Sequence, residues 1–190
     1  MIEVIKNEIK DGIELRNQLI NDSYFIKKIT STAMTIIKAL SAGNKVIFAG
    51  NGGSFADAQH LTAELTGRFL KERKPLAALC LGTNSSATTC ISNDYDFSEI
   101  FAREFTALAK KGDILVVLST SGNSENIVKL VEIAKNKNID TFCLLGKDGG
   151  KLAKHPNSLI VPSYNTARIQ EIHITIGHIL CLLIDEGETL

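Results

Sequence analysis

Apolar positions along the chain follow two successive rhythms. Over the first forty residues Ile2, Ile5, Ile9 and Ile13, then Phe25, Ile29, Ile36, Ile37 and Leu40, fall at helical spacing and predict two amphipathic helices. Gly43-Asn44 ends the second of them. Beyond it the pattern changes to short apolar runs at 45–49, 76–81, 114–118, 141–145 and 158–161, which read as strands. Between these runs lie helical patterns at 54–66, 100–110 and 124–137, and a last one follows at 166–185. Strand–helix alternation of this kind calls for parallel strands joined by crossover helices. The expected architecture is therefore one three-layer α/β domain. Residues 1–43 form a helical extension and residues 44–190 the α/β core, with nothing resembling a linker, a repeat or a low-complexity tract.

Composition narrows the class of partner. At 190 residues, with 44% apolar and 22% charged residues, the chain can bury one large core without staples. Its 21 basic residues balance 21 acidic ones, so no net positive field favours nucleic acid or an anionic membrane surface. The first residues place acids among the apolar positions, unlike a signal peptide, and no apolar run is read as reaching spanning length. Cys80, Cys90, Cys143 and Cys181 form no CxxC pair and read as small apolar side chains in a reducing compartment. A cytoplasmic protein is expected.

Two loops carry candidate chemistry. Residues 46–54 run from strand through Gly50, Asn51, Gly52 and Gly53 into a helix beginning at Ser54, an arrangement that points backbone N–H groups above the sheet. Phe55 stands where a dinucleotide fingerprint needs its third glycine, and no Gly-Lys-Ser/Thr follows, so no nucleotide cofactor is expected. Alone, this loop could be a plain strand-to-helix turn. The second copy, at 115–124, again joins strand to helix and crowds Ser119, Thr120, Ser121 and Ser124 into six positions. Hydroxyls donate to phosphate oxygens, and the following helix adds its positive dipole end. Ser124 could equally be a simple helix cap. Together the loops point to a small phosphorylated ligand at the carboxyl edge of one sheet.

The motifs GNGGSxxDAxHxxxEL at 50–65, STSGNS at 119–124, GKDGG at 146–150 and RIQExH at 168–173 resemble the SIS domain, specifically the phosphoheptose isomerase family. The resemblance covers nearly the whole chain. It implies a five-stranded parallel sheet of flavodoxin-like type flanked by helices, assembled as a homotetramer. It also implies conversion of sedoheptulose 7-phosphate to D-glycero-D-manno-heptose 7-phosphate for bacterial lipopolysaccharide or capsule. Substrate contacts carry over to Asn51, Gly52, Gly53, Ser54, Glu64, Asn93, Asp94, Ser119, Thr120, Ser121, Ser124 and Gln170, although Asn93-Asp94 otherwise reads as a turn signal. Zinc in the family is held by residues matching His60, Glu64, Gln170 and His178, a donor set zinc accepts, with glutamine the unusual member.

Isomerisation through an enediol needs a base at carbon and a group that handles the two oxygens. His60 and Glu64, four apart, share a helix face beside the first loop, and Glu64 is the expected base. His178 resembles the family's second acid/base group, and zinc on Glu64 would compete with the base role. His173 reads as a hydrogen-bonded core residue. Arg68 and Arg168 read as salt-bridge partners that could assist the phosphate. Some family members carry an acid before the arginine of RIQE; here it is Ala167. A non-catalytic SIS regulator, binding a sugar phosphate or a replication initiator protein, is the rival reading, and the presence of both Glu64 and His178 speaks for an enzyme.

Overall fold

In the computed structural model, which describes residues 1–187, the two leading helices are α1 (Ile2–Ile20) and α2 (Ser23–Ser41). Asp22 separates them by accepting hydrogen bonds from the N–H groups of Tyr24 and Phe25 at 2.9 and 3.0 Å, a side-chain cap on the second helix. The core then runs β1 (Val46–Gly50), α3 (Gly53–Thr66), β2 (Ala78–Cys80), α4 (Ser85–Asp94), α5 (Ile100–Leu108), β3 (Ile114–Ser119), α6 (Glu125–Asn136), β4 (Asp140–Gly146), β5 (Ser158–Val161) and α7 (Thr166–Gly187). All neighbouring strands pair in parallel, in the order β2-β1-β3-β4-β5. This is the doubly wound flavodoxin-like order, whose direction of winding reverses between β1 and β3 and opens a crevice above their carboxyl ends.

Side chains alternate across the pleat, so each central strand feeds two apolar layers. Val46, Phe48, Ile114, Val116, Leu118 and Leu144 face α2, α3 and α7, where Phe25, Ile36, Leu61, Ile172 and Ile176 are also buried. Ile47, Ala49, Leu115, Val117, Cys143 and Leu145 face the opposite layer, packed on Phe101, Phe105, Ile127 and Leu130 of α5 and α6. Burial on both faces explains why the strands read as unbroken apolar runs. Leu15 and Leu19 anchor α1 to the first layer, while Ile2, Ile5, Ile9 and Ile13 of the same helix remain exposed.

Two elements differ from the sequence pattern. The 84–94 segment forms α4, capped by the Asn84 side chain, so Asn93-Asp94 closes a helix rather than making a turn. None of its residues is buried, so it carries no apolar stripe that periodicity could detect. The strand at 76–81 shortens to three residues at the sheet edge. Helix α7, contrary to the expectation that no run is long enough, would span a bilayer by length and composition. Its apolar residues Ile169, Ile172, Ile176, Leu180 and Ile184 are buried in the core layer, which accounts for that composition.

Beneath the sheet's carboxyl edge, His173 is fully buried, and its Nε2–H donates to the Leu145 carbonyl at 3.0 Å. Burial pushes its pKa down to about 4, against a partial rise from that hydrogen bond. The unfolded chain, with an ordinary histidine near 6.5, then binds more protons between those values, so stability is present above 6.5 and lost as pH falls towards 4. That interval corresponds to roughly 3 kcal/mol. Chemical denaturation at pH 7 and pH 5 should show the loss, and His173→Gln should flatten the dependence. An unchanged slope in that variant would assign the acid sensitivity elsewhere.

Candidate active site

Three helices begin at the crevice between β1 and β3. Gly52, Gly53 and Ser54 open α3, Ser124 precedes α6, and Thr166 begins α7; together with Asn51, Leu118, Ser119, Thr120 and Gln170 they line a cavity of about 310 Å³. Among the described residues no lining side chain is charged. Converging helix N-termini bring positive dipole ends and hydroxyl donors to one place, so the cavity suits a small anion without a cation in contact, although the Ala167 and Arg168 N–H groups of α7 are already held by the Asn165 side chain.

Local geometry sets each loop. Gly53 allows the close approach of Gln170, whose Nε2 would lie 2.6 Å from any added Cβ. Gly122 has a φ of +62°, and a side chain there would collide with the Gly149 carbonyl, so the GKDGG segment buttresses the second loop. The Asn123 side chain reinforces that contact by accepting from the Lys151 N–H at 3.0 Å. Ser119 is buried and accepts from the Gly122 N–H at 3.2 Å, which leaves its own hydrogen to donate. Ser124 occupies the cap position of α6 yet makes no capping hydrogen bond, so the simple cap reading fails. Ser121 turns back to accept from the Asn123 N–H and is not part of the cavity lining.

Further along α3 and α7, a second group of polar side chains meets. His60 Nε2 lies 3.0 Å from Glu64 Oε1 and 3.0 Å from His178 Nε2, and the three donor atoms all fall within 4.8 Å of one another. One hydrogen on His60 Nε2 cannot serve both neighbours, so an excess of lone pairs faces one point. Two imidazole nitrogens and a carboxylate oxygen in that arrangement fit a divalent metal ion. The His178 ring stacks on Phe69, with centroids 5.5 Å apart and planes inclined by 15°. Asp57 lies one turn before His60, and one of its carboxylate oxygens is buried without a hydrogen-bond partner. Burial raises its pKa, partly countered by the nearby His60 and His178.

The residues singled out from sequence thus divide. Asn51, Gly52, Gly53, Ser54, Ser119, Thr120, Ser124 and Gln170 share the cavity, and His60, Glu64 and His178 share the second group. Asn93 and Asp94 are exposed at the end of α4, bonded to each other at 2.9 Å and outside the cavity lining. Arg68 makes a surface ion pair with Glu72, while Arg168 binds Glu171 and the Glu8 carbonyl, tying α7 to α1 rather than lining the cavity. Thr166, Phe69 and Asn126 were not marked by the sequence, and Asp57 stood in the first motif without an assigned role. Each has a polar or aromatic side chain at an unremarkable helix or loop position, and only the packing gives it a place.

Fold and site together define a doubly wound α/β protein with an anion-sized cavity at its switch point and an acid–base cluster on the helices that lead from it. Residues 17–146 match the model of the SIS domain. The chain is 44% identical over 187 residues to a phosphoheptose isomerase of Aquifex aeolicus, covering 98% of this chain and 97% of that protein. It is 46% identical over 188 residues to one of Nitratiruptor, covering 98% and 100%. A solved phosphoheptose isomerase from Francisella tularensis superposes with a TM-score of 0.92 at 37% identity, over 97% of this chain and 98% of that one. The chain belongs to the SIS domain family and, within it, to the phosphoheptose isomerases.

Proposed function

We propose that this protein is a cytoplasmic isomerase that converts sedoheptulose 7-phosphate to D-glycero-D-manno-heptose 7-phosphate, for heptose used in lipopolysaccharide or capsule. The observation that carries this reading is the parallel course of α3 and α7 away from the cavity. From Gly53 to His60, and from Gln170 to His178, each helix advances about 10–12 Å. That separation matches an extended seven-carbon sugar whose phosphate sits at the helix N-termini and whose first two carbons reach the carboxylate and imidazoles. The SIS regulator alternative gives no role to the clustering of Glu64 with His60 and His178.

In this reading Glu64 removes the proton from C1 of the open-chain ketose, giving an enediol, and returns a proton at C2. His178 moves a proton between the two oxygens, so the product aldose and the ketose differ only in hydrogen positions. Gln170, reaching from α7 to the start of α3, orients the chain between phosphate and reacting carbons. Asn93 and Asp94 belong to the sugar end of the site. Zinc is the proposed metal, held by His60, Glu64 and His178, with Gln170 as the further ligand once its side chain turns from Gly53 towards His178; when bound it would polarise a substrate oxygen. A Glu64 side chain engaged in that way is less basic, so the two roles trade against each other.

The phosphate assignment has a direct test. Hydrogen bonds to a charged partner contribute about 1.5–3 kcal/mol each, so Ser119→Ala combined with Ser124→Ala should raise KM at least ~100-fold if the losses add. Thermal melts with and without sugar phosphate should show the ligand-induced rise in midpoint largely abolished. A double variant that keeps the full rise would overturn the assignment.

The exposed row Ile2, Ile5, Ile9 and Ile13 on α1 supports burial against other copies of the chain, and the proposed assembly is a tetramer with sites near subunit boundaries. Light scattering should give a multiple of the 20.6 kDa chain mass. Ile5→Glu with Ile9→Glu should dissociate the assembly and lower activity. A monomer that is fully active at the same dilution would refute this.

A further inference from the structure

We infer that Asn126 is a positioning residue that locks the two anion-binding loops together, and that Asn51 serves the ligand through its backbone while its side chain acts as the lock. This rests on the anion-site reading above. The β1–β3 ladder ends at the pair Gly50–Leu118, the last residue of β1 and the last but one of β3, whose Ser119 pairs only with Leu145 of β4. Beyond that point no strand pairing joins the two loops to each other.

The two amides take over there. Asn51 Nδ2 donates to Asn126 Oδ1 at 2.9 Å, and Asn126 Nδ2 donates to Asn51 Oδ1 at 2.9 Å. Such a reciprocal pair is the side-chain counterpart of a backbone ladder step, because each amide gives one N–H and accepts one in the same plane. Asn126 lies in the first turn of α6 and is 2% exposed, so water cannot replace the bonds if one partner is removed. The pair takes up one N–H and one lone pair of the Asn51 amide and so holds that side chain against α6. In this reading Asn51 meets the anion through the backbone of the Gly-rich loop that leads into α3.

The pair therefore fixes the distance between the start of α3 and the start of α6, and with it the size of the anion cavity. Preorganised donors bind more tightly because no ordering cost is left to offset at binding. Releasing the lock should weaken anion binding while sparing proton transfer, since His60, Glu64 and His178 sit further along α3 and α7. A residue that only stabilised α6 would lower the melting temperature and leave affinity alone.

The test uses the full-length protein and two probes, inorganic phosphate by equilibrium dialysis and sedoheptulose 7-phosphate by steady-state kinetics. Asn126→Ala is expected to weaken phosphate binding and raise KM about tenfold or more, with kcat within a few-fold of wild type. Asn51→Ala should do the same, and the double variant should be no worse than the weaker-binding single one, because both remove one shared contact. If Asn126→Ala does not fold, Asn126→Ser keeps a small neutral polar group in the first turn of α6 without the reciprocal amide pair and should show the same direction of change. Unchanged phosphate affinity in a folded Asn126 variant, or effects of the two single changes that multiply, would overturn the inference. If wild-type protein binds phosphate but does not turn over the heptulose, the substrate reading falls, and the phosphate comparison still decides the role of Asn126.

Discussion

Glu64→Gln is expected to retain the fold and the affinity for phosphosugar while lowering turnover by about 10²–10⁴-fold. The substitution keeps the side chain's size and an oxygen that can accept from His60, 3.0 Å away, so the arrangement of α3 and α7 should survive. What it removes is basicity. The cavity proposed for phosphate is formed by the helix starts and hydroxyls, well along α3 from position 64, so KM and the ligand-induced rise in melting temperature should be close to those of wild type. Metal content measured on the same sample separates the two roles of the carboxylate. Lost turnover with retained metal marks a base, and loss of both in parallel marks a ligand. Wild-type-like turnover would remove Glu64 from the chemistry.

Arg73→Met should cost about 3–5 kcal/mol of stability, the usual result of leaving one half of a buried ion pair behind. Arg73 Nε donates to Asp185 at 2.7 Å, and the carboxylate also accepts from the Leu70 and Lys71 N–H groups at 3.0 and 3.2 Å. The same guanidinium caps the end of α3 by donating to the Glu64 and Leu65 carbonyls at 2.8 and 3.0 Å. Asp185 is 2% exposed. Burial alone would raise its pKa, but these hydrogen bonds and the charge of Arg73 outweigh it and hold the carboxyl below its ordinary value. Its contribution is thus present at neutral pH and is lost in acid, the same direction as that of His173. Because the anchored segment carries Phe69, which stacks on His178, the variant should also loosen the acid–base cluster. Urea denaturation at fixed protein concentration checks the first effect, and an unchanged midpoint would mean the pair is idle.

The sequence made the scaffold legible because its strands are buried on both faces and its main helices carry full apolar stripes. Runs such as 114–118 and 141–145 could be nothing else once helical patterns stood between them, and β5 lies at 158–161 as read. Helix α4 escaped because none of its residues is buried, and helix propensity without an apolar stripe leaves no period to detect. The cavity proposed for an anion was visible for a similar reason: glycines and hydroxyls concentrated at strand ends are local features. Ser121 turns to the Asn123 N–H, because crowding of hydroxyls along the chain says nothing of which way each turns. Long-range partners were invisible in principle. Asn126 is 75 residues from Asn51, Asp185 is 112 from Arg73, and no local pattern joins them. His60 and Glu64 were legible as a pair because one helix turn joins them, whereas their meeting with His178 required the packing of α3 on α7.

The central claim, that the cavity and the acid–base cluster together perform an aldose–ketose isomerisation on a seven-carbon sugar phosphate, is tested most directly by incubating the purified protein with sedoheptulose 7-phosphate in D₂O and following the mixture by NMR. D-glycero-D-manno-heptose 7-phosphate should appear with deuterium at C2, because the proton taken from C1 passes through a base that can exchange with solvent before return. Binding of the sugar phosphate without any aldose formed would contradict it.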